Sequence, residues 1–462
     1  MNIRRQPLML HYGVVLVLCL GYGYFGYELV REQTTFLLLG YALIWSLSTY
    51  LISSKKNKWP HDLILGLLFR AILVVALPNL SQDFYRFIWD GFLTAKGLNP
   101  YLFSPSQIIE DPTLIDYVVP DGASLVSGMG PLNASHFTNY PPIMQWLFAV
   151  PHWLGMSHLL SQVVTLRALI ILADLGVFIG GRHLLKRLKM PASRINWYYL
   201  NPFIILEFTG NLHFEGVMLC SLTLGLLALS RQRFILTGWS IAMSIMVKLI
   251  PLMFLPLIAK HCIPHFADFR AHYKKAFLVF GAMTITLVLI ALPYSSGLTW
   301  QHYTDTTALW FTNFEFNASI YYLVRWIGFE WVGYNIIAES GPILSLIVLM
   351  TIMTLAWRKD LTQIRPLICT MFWATALYLL LATTVHPWYW ATPLLLSLFT
   401  PYRFAILGSL LIMVSYTGYQ SDGVQEKTLW IALEYIGIYG LAAHELIKSM
   451  RPKTHRQAPR IP

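Results

Sequence analysis

Apolar runs close to the roughly 20 residues that cross a bilayer as a helix recur along the whole chain, near 10–28, 35–53, 62–78, 163–184 and 429–447. Shorter apolar stretches near 276–293, 343–357, 366–384, 387–400 and 403–418 fill the intervals. The pattern predicts an all-α polytopic membrane protein, a single bundle of about 13–14 transmembrane helices over 1–462. The opening MNIRRQPLMLHYGVVLVLCLGYGYFGY has the basic start and apolar core of a signal peptide, but no small-residue cleavage site follows; it reads as a retained first helix.

Charge orients the crossings, because Lys and Arg concentrate in cytoplasmic loops. Basic clusters at Arg4 and Arg5, at Lys55, Lys56 and Lys58, and at Arg182, Lys186, Arg187 and Lys189 are placed inside, as are Arg231 with Arg233 and the group Lys260, Arg270, Lys274 and Lys275. Arg358, Lys359, Arg365, Arg403 and the basic tail 448–462 follow on the same side. Between consecutive clusters the chain must cross an even number of times, which requires hairpins near 194–230 and 234–260, the second broken at Pro251 and Pro256. Residues 79–162 form the main non-cytoplasmic loop, rich in Pro, Gly, Asn and Asp. Within it, 141–154 is interfacial or re-entrant, since a crossing there would put the next basic cluster outside.

Composition agrees: 56% hydrophobic, 12% charged and 15% aromatic residues in 462 depart from a soluble average in the membrane direction. The net charge of +11 comes from those inter-helix clusters and does not indicate nucleic acid binding. Cys19, Cys220, Cys262 and Cys369 lack the spacing of a disulfide framework or zinc site.

Polar residues outside the basic loops converge on the non-cytoplasmic side. Asp83 and Asp90 are seven apart, so a continuous helix brings both to one face with Phe87 and near Arg86. A carboxylate at that boundary is placed to take a proton from a hydroxyl; the competing reading makes Ser81 and Asp83 an ordinary helix start. NPFIILEFTGNLHFEG, 201–216, sets Glu207, Asn211, His213 and Glu215 at the outer turn of a hairpin. They read as functional candidates, as an interhelix hydrogen-bond network, or as ligands of a divalent cation, although the spacing fits no standard zinc signature. Lys248, Arg325 and His386 suit a phosphate leaving group, whose growing charge is stabilised by preorganised cations; His386 reads equally as a structural hydrogen-bonder beside Trp388 and Trp390, and Arg325 as a snorkelling side chain. Arg70 and Asp174, each costly alone in mid-helix, are expected to form a structural ion pair. A transporter or flippase of lipid-linked glycans is the main alternative to an enzyme; it would show polar residues at mid-membrane and internal repeats.

The order of motifs resembles the GT-C superfamily of integral membrane glycosyltransferases, and more narrowly the polyprenol-phosphate-mannose-dependent mannosyltransferases. DFYRFIWDGFLTAKGLNPY followed by NYPPIMQWLFAV is similar to a first-loop pattern of an aspartate, a Gly-x-x-Pro-Tyr turn and Tyr-Pro-Pro. NPFIILEFTGNLHFEG is similar to an Asn-Pro…Glu…Asn-Gly-His-Asn-Asp signature, with Leu212 for the glycine, Phe214 for the second asparagine and Glu215 for the aspartate. VKLIPLMFLPL, FNASIYYL and VHPWYWATPLL follow in the same order.

The resemblance implies an inverting transfer of a sugar, mannose above all, from a polyprenyl-phosphate donor to a lipid-linked or glycan acceptor. Asp83 would be the general base, Lys248 and His386 would contact the donor phosphate, and Asn99, Tyr101, Tyr140 and Asn317, from the matched motifs, would join the substrate side. No obligatory metal is expected. Lipid substrates would enter laterally from the bilayer, and the setting would be a bacterial inner membrane with the site facing the periplasm.

Overall fold

Bilayer-length apolar runs can satisfy their backbone only by folding into helices, and the computed structural model is helical almost throughout. It describes residues 8–54, 59–264, 269–420 and 423–450; the expected basic groups at Arg4, Arg5, Lys55, Lys56 and Lys58, and most of the basic tail, lie outside them. Among the described residues, six helices are long and apolar enough to cross a bilayer unaided: Met9–Tyr27, Thr34–Ser53, Leu159–Arg187, His272–Tyr294, Ile337–Arg358 and Ile364–Leu381. A multi-pass membrane protein follows. The remaining apolar segments are shorter or broken: Trp59–Ile72, Phe234–Val247, Leu255–Cys262, Ala391–Ser397 and Phe404–Leu411. The third run therefore ends as a helix at Ile72 rather than near 78, and the expected 13–14 crossings rest on these pieces joining into spans.

Hydrogen bonds between chain-distant loops define two ends of the bundle. At one, Arg187 Nε donates to Ser230 O (2.6 Å), Arg194 to Thr400 O (2.6 Å), His261 Nδ1 lies 2.6 Å from Leu361 O, and Arg403 N donates to Glu445 (2.8 Å). Basic loops gather here. At the other, Asn79 bonds Leu29 O (2.6 Å), Asn99 bonds Thr299 (2.8 Å), and Asn317 bonds Glu434 (3.0 Å). The 234–260 segment breaks at Lys248 and Leu249, not at its prolines. Pro251 and Pro256 open the short turns Ile250–Phe254 and Leu255–Cys262, where a missing N–H costs nothing.

The loop after the third apolar run folds into the helices Asp83–Ala95, Pro105–Glu110, Gly122–Ser135 and Pro142–Trp153. The last packs directly on the first: a Cβ at Gly91 would lie 2.1 Å from Phe148 O. Gly91→Ala is therefore expected to push the two helices apart, at about 1–3 kcal/mol, and to lower the thermal midpoint of the detergent-solubilised protein; an unchanged midpoint would show that the contact can relax. Mid-bundle, Arg70 and Asp174 pair as expected, with Nε and Nη2 both donating to Oδ2 at 3.0 and 2.9 Å, and both side chains fully buried.

Candidate active site

Asp83 is the first residue of its helix and half-buried, with Gln82 before it making no side-chain cap. Its carboxylate accepts a long bond from Asn133 Nδ2 (3.4 Å) and points into a cavity of about 740 Å3. Seven residues on, Asp90 lies on the same helix face but is buried and occupied: Arg86 Nε donates to it at 2.8 Å, and Gln145 Nε2 at 3.4 Å. Arg86 also reaches Asn133 O (2.7 Å) and His136 O (3.0 Å), so the Arg86–Asp90 pair fastens the segment beside Asp83.

The hairpin expected at 201–216 turns sharply. Residues 205–210 form a π-helical turn, and the chain bends by 117° before Glu215–Ser230. Glu207, Asn211 and Glu215 therefore do not share a continuous face. Buried Glu207 accepts from Tyr416 (2.9 Å) with His213 Nδ1 at 3.2 Å, and Asn211 faces away into a small void beside Gly210. His213 and Glu215 line the main cavity. Leu212, which stands where the resembled signature has glycine, has φ of +61° and is fully buried; glycine takes that conformation without strain, so the turn is kept here by packing.

Lys248, extended at its helix break, forms an ion pair with Glu215, and its Nζ lies 4.3 Å from the Tyr389 ring centre. His386 sits in a stack of rings: Phe316 at 5.0 Å, then Trp388 at 4.6 Å, with His213 on the far side of Trp388 at 3.7 Å. Burial, with Lys248 and His213 adding to it, lowers the His386 imidazole to about 3. The neutral imidazole is favoured there, and its Nδ1 is buried without a hydrogen-bond partner among the described residues.

Of the sequence-derived candidates, Asp83, Arg86, Tyr140, His213, Glu215, Lys248 and His386 line the cavity. The others hold the surrounding frame. Asn99 Oδ1 accepts from Tyr101 N (3.0 Å), and the Tyr101 hydroxyl donates to Tyr140 O (2.6 Å). Asn317, at φ of +46°, bonds Glu434, and Arg325 pairs with Glu315 at 2.5 Å.

Six charged side chains line the cavity: Arg31, Asp83, Arg86, Glu215, Lys248 and Glu315. Four are neutralised, in the pairs Arg86–Asp90, Lys248–Glu215 and Arg325–Glu315. Asp83 and Arg31 are left, among the described residues, without an ion-pair partner. Arg31 was not singled out from the sequence, yet the signal was there: a lone arginine in the turn between the first two helices, at the end opposite the basic loops.

A short antiparallel hairpin, Tyr419–Gln420 with Gly423–Val424, closes one side of the cavity. Glu426 ties it down, accepting from Asn317 N (2.5 Å) and from the Tyr322 hydroxyl. Burial raises the Glu426 carboxyl above its ordinary value against the opposing effects of Tyr322, Asn317 and Arg325, while Glu315 adds to the rise. A raised folded value makes its stabilisation complete below the ordinary carboxylate range and lost as pH rises through the folded value. Limited proteolysis of the 419–427 segment should therefore increase across that window in the native chain and be flatter with pH in Glu426→Gln; equal slopes would exclude Glu426 as the clamp.

Residues 14–264 match the family described as alpha-(1->6)-mannopyranosyltransferase, N-terminal domain (the MptA_B family). Two relatives carry the name alpha-(1->6)-mannopyranosyltransferase A. The protein from Corynebacterium glutamicum is 23% identical over 381 residues, covering 75% of this chain and 73% of its own length. The one from Mycobacterium tuberculosis is 20% identical over 342 residues, covering 70% and 62% respectively, so the chain spans less than two thirds of that relative.

Proposed function

The chain belongs to the alpha-(1->6)-mannopyranosyltransferase family and is a membrane mannosyltransferase, and on that premise we propose that it moves mannose from a polyprenyl-phosphate donor to a glycan hydroxyl in a 1→6 linkage. The observation that carries the reading is Asp83, the unpaired carboxylate at the cavity wall. The acceptor oxygen attacks the anomeric carbon from the face opposite the phosphate, and Asp83 takes the hydroxyl proton. The bond from the anomeric carbon to the phosphate oxygen breaks with its electron pair leaving on that oxygen. The products are the inverted glycoside and a polyprenyl phosphate.

Apolar cavity residues, among them Leu252, Met253, Leu344, Val348 and Leu381, give a prenyl chain a path from the bilayer to this point. His386, which lines the cavity with its buried Nδ1 unpartnered among the described residues, offers a hydrogen bond to a sugar. We place the cavity on the periplasmic side of a bacterial inner membrane, opposite the basic loops.

The test is transfer by the purified chain in lipid nanodiscs from synthetic polyprenyl-phosphate mannose, with a nucleotide-linked mannose as the comparison donor and a mannan oligosaccharide as acceptor. The expected result is glycan extension matched by released polyprenyl phosphate; use of the nucleotide donor alone would overturn the reading. Among the described residues, no three His, Cys, Asp or Glu side chains are placed to hold a metal ion. A chelator is accordingly expected to leave the rate unchanged within about twofold, and a loss restored by a divalent cation would contradict this.

A further inference from the structure

Among the described residues, ion pairing leaves one cavity cation over. Arg31 lines the same cavity as Asp83, and its guanidinium carbon rests 4.4 Å from the centre of the Tyr419 ring, another lining residue. Among the described residues its hydrogen bond is a long one, Nη1 to Leu80 O at 3.5 Å, and its Nε is buried without a partner. Leu80 precedes Asp83 by three residues, so the guanidinium is held beside the start of the Asp83 helix. An arginine on an aromatic face, partly desolvated and with most of its donors uncommitted, is poised for an oxyanion.

The other cavity cations are differently placed. Arg86 is neutralised by Asp90 and commits Nε and Nη1 to Asp90, Asn133 and His136, leaving only Nη2 unpartnered, and Lys248 is neutralised by Glu215. A phosphate that gains charge as its bond to the sugar breaks needs positive charge that is not already balanced.

We propose that Arg31 receives the phosphate of the polyprenyl-phosphate donor and stabilises the charge that develops on it as the bond to the anomeric carbon breaks. The proposal rests on the donor class inferred above. The hydroxyl proton goes to Asp83 and the electron pair to the phosphate oxygen, so the two unpaired charges of the cavity serve the two ends of one displacement. Lys248 and Glu215 then act as a neutral pair toward sugar hydroxyls.

The experiment compares binding of a short-chain polyprenyl phosphate and the matching polyprenol to the full chain in nanodiscs, together with transfer kinetics. Native protein should prefer the phosphate. Arg31→Gln should bind it about ten- to a hundredfold more weakly with polyprenol binding unchanged, and should raise the donor KM; Arg31→Lys should restore part of both. Arg31→Met, which keeps packing on Tyr419 without the charge, is the second variant should glutamine disturb the fold.

If the Gln and Met variants bind polyprenyl phosphate as the native chain does, the proposal is overturned and Lys248 with His386 takes the phosphate. Equal loss of both ligands would show a structural role and overturn it as well. A native chain that does not distinguish phosphate from alcohol would remove the donor class itself, and this assignment with it.

Discussion

Asp83→Asn is expected to slow mannose transfer by about 10²–10⁴-fold, the range general-base catalysis contributes, while leaving polyprenyl phosphate binding close to native. Asparagine keeps the oxygen that accepts from Asn133 and leaves the Arg86–Asp90 pair in place, so the fold has little reason to change. What it lacks is the capacity to take the hydroxyl proton. Single-turnover transfer alongside ligand binding separates the two effects: a fall in kcat with donor affinity intact is the signature. Asp90→Asn should behave differently, because Asp90 is buried against Arg86 and its loss frees the guanidinium that fastens residues 133–136. Should Asp83→Asn keep native turnover, the base is elsewhere, and Glu215, released from Lys248 on substrate binding, is the next residue to replace.

The largest stability effect is expected at Asp174. Removing it by Asp174→Ala leaves Arg70 fully buried with an uncompensated charge, and breaking a buried pair this way costs about 3–5 kcal/mol. Asp174 also accepts from the Tyr198 hydroxyl at 2.8 Å, so three segments lose their junction together. Unfolding of the reconstituted protein in a denaturing detergent should shift strongly to lower concentration. The double replacement Arg70→Met with Asp174→Leu should recover much of the loss, since apolar packing can substitute for a buried pair. If Asp174→Ala unfolds like the native chain, the pair is not what holds these helices together.

The long crossings were legible because a bilayer imposes a fixed apolar length; Thr34–Ser53 and Leu159–Arg187 fall where the hydrophobic runs put them. The short pieces were legible only through charge, as 387–397 and 404–418 carry too few residues to announce a crossing by length. The cavity was half-legible. Asp83, Lys248 and His386 stood out as polar residues at a boundary, and all three line the one cavity. Glu207 and Asn211 looked the same in sequence but are turned away by the π-helical bend, and nothing in the residue types marks a bend carried by a left-handed leucine. Asn99, Tyr101 and Asn317 came from motif order, which records that a residue matters without saying whether it touches a ligand or holds a loop. Arg31 stands as a lone arginine in a short turn between two apolar runs, with no neighbouring motif to set it apart from an ordinary loop charge.

The Arg70–Asp174 pair also sets a problem of timing during synthesis. The partners are 104 residues apart, and at about 5–20 residues per second the ribosome needs roughly 5–20 s to make the second after the first. Until Asp174 is made, Arg70 on the 14-residue helix Trp59–Ile72 lacks the carboxylate that neutralises it in the folded chain. The first two long helices can pair before then, whereas the helix bearing Arg70 is expected to reach its final packing only once Leu159–Arg187 has been made. The helix that begins at Asp83 follows directly in the chain, so its position is expected to be fixed no earlier.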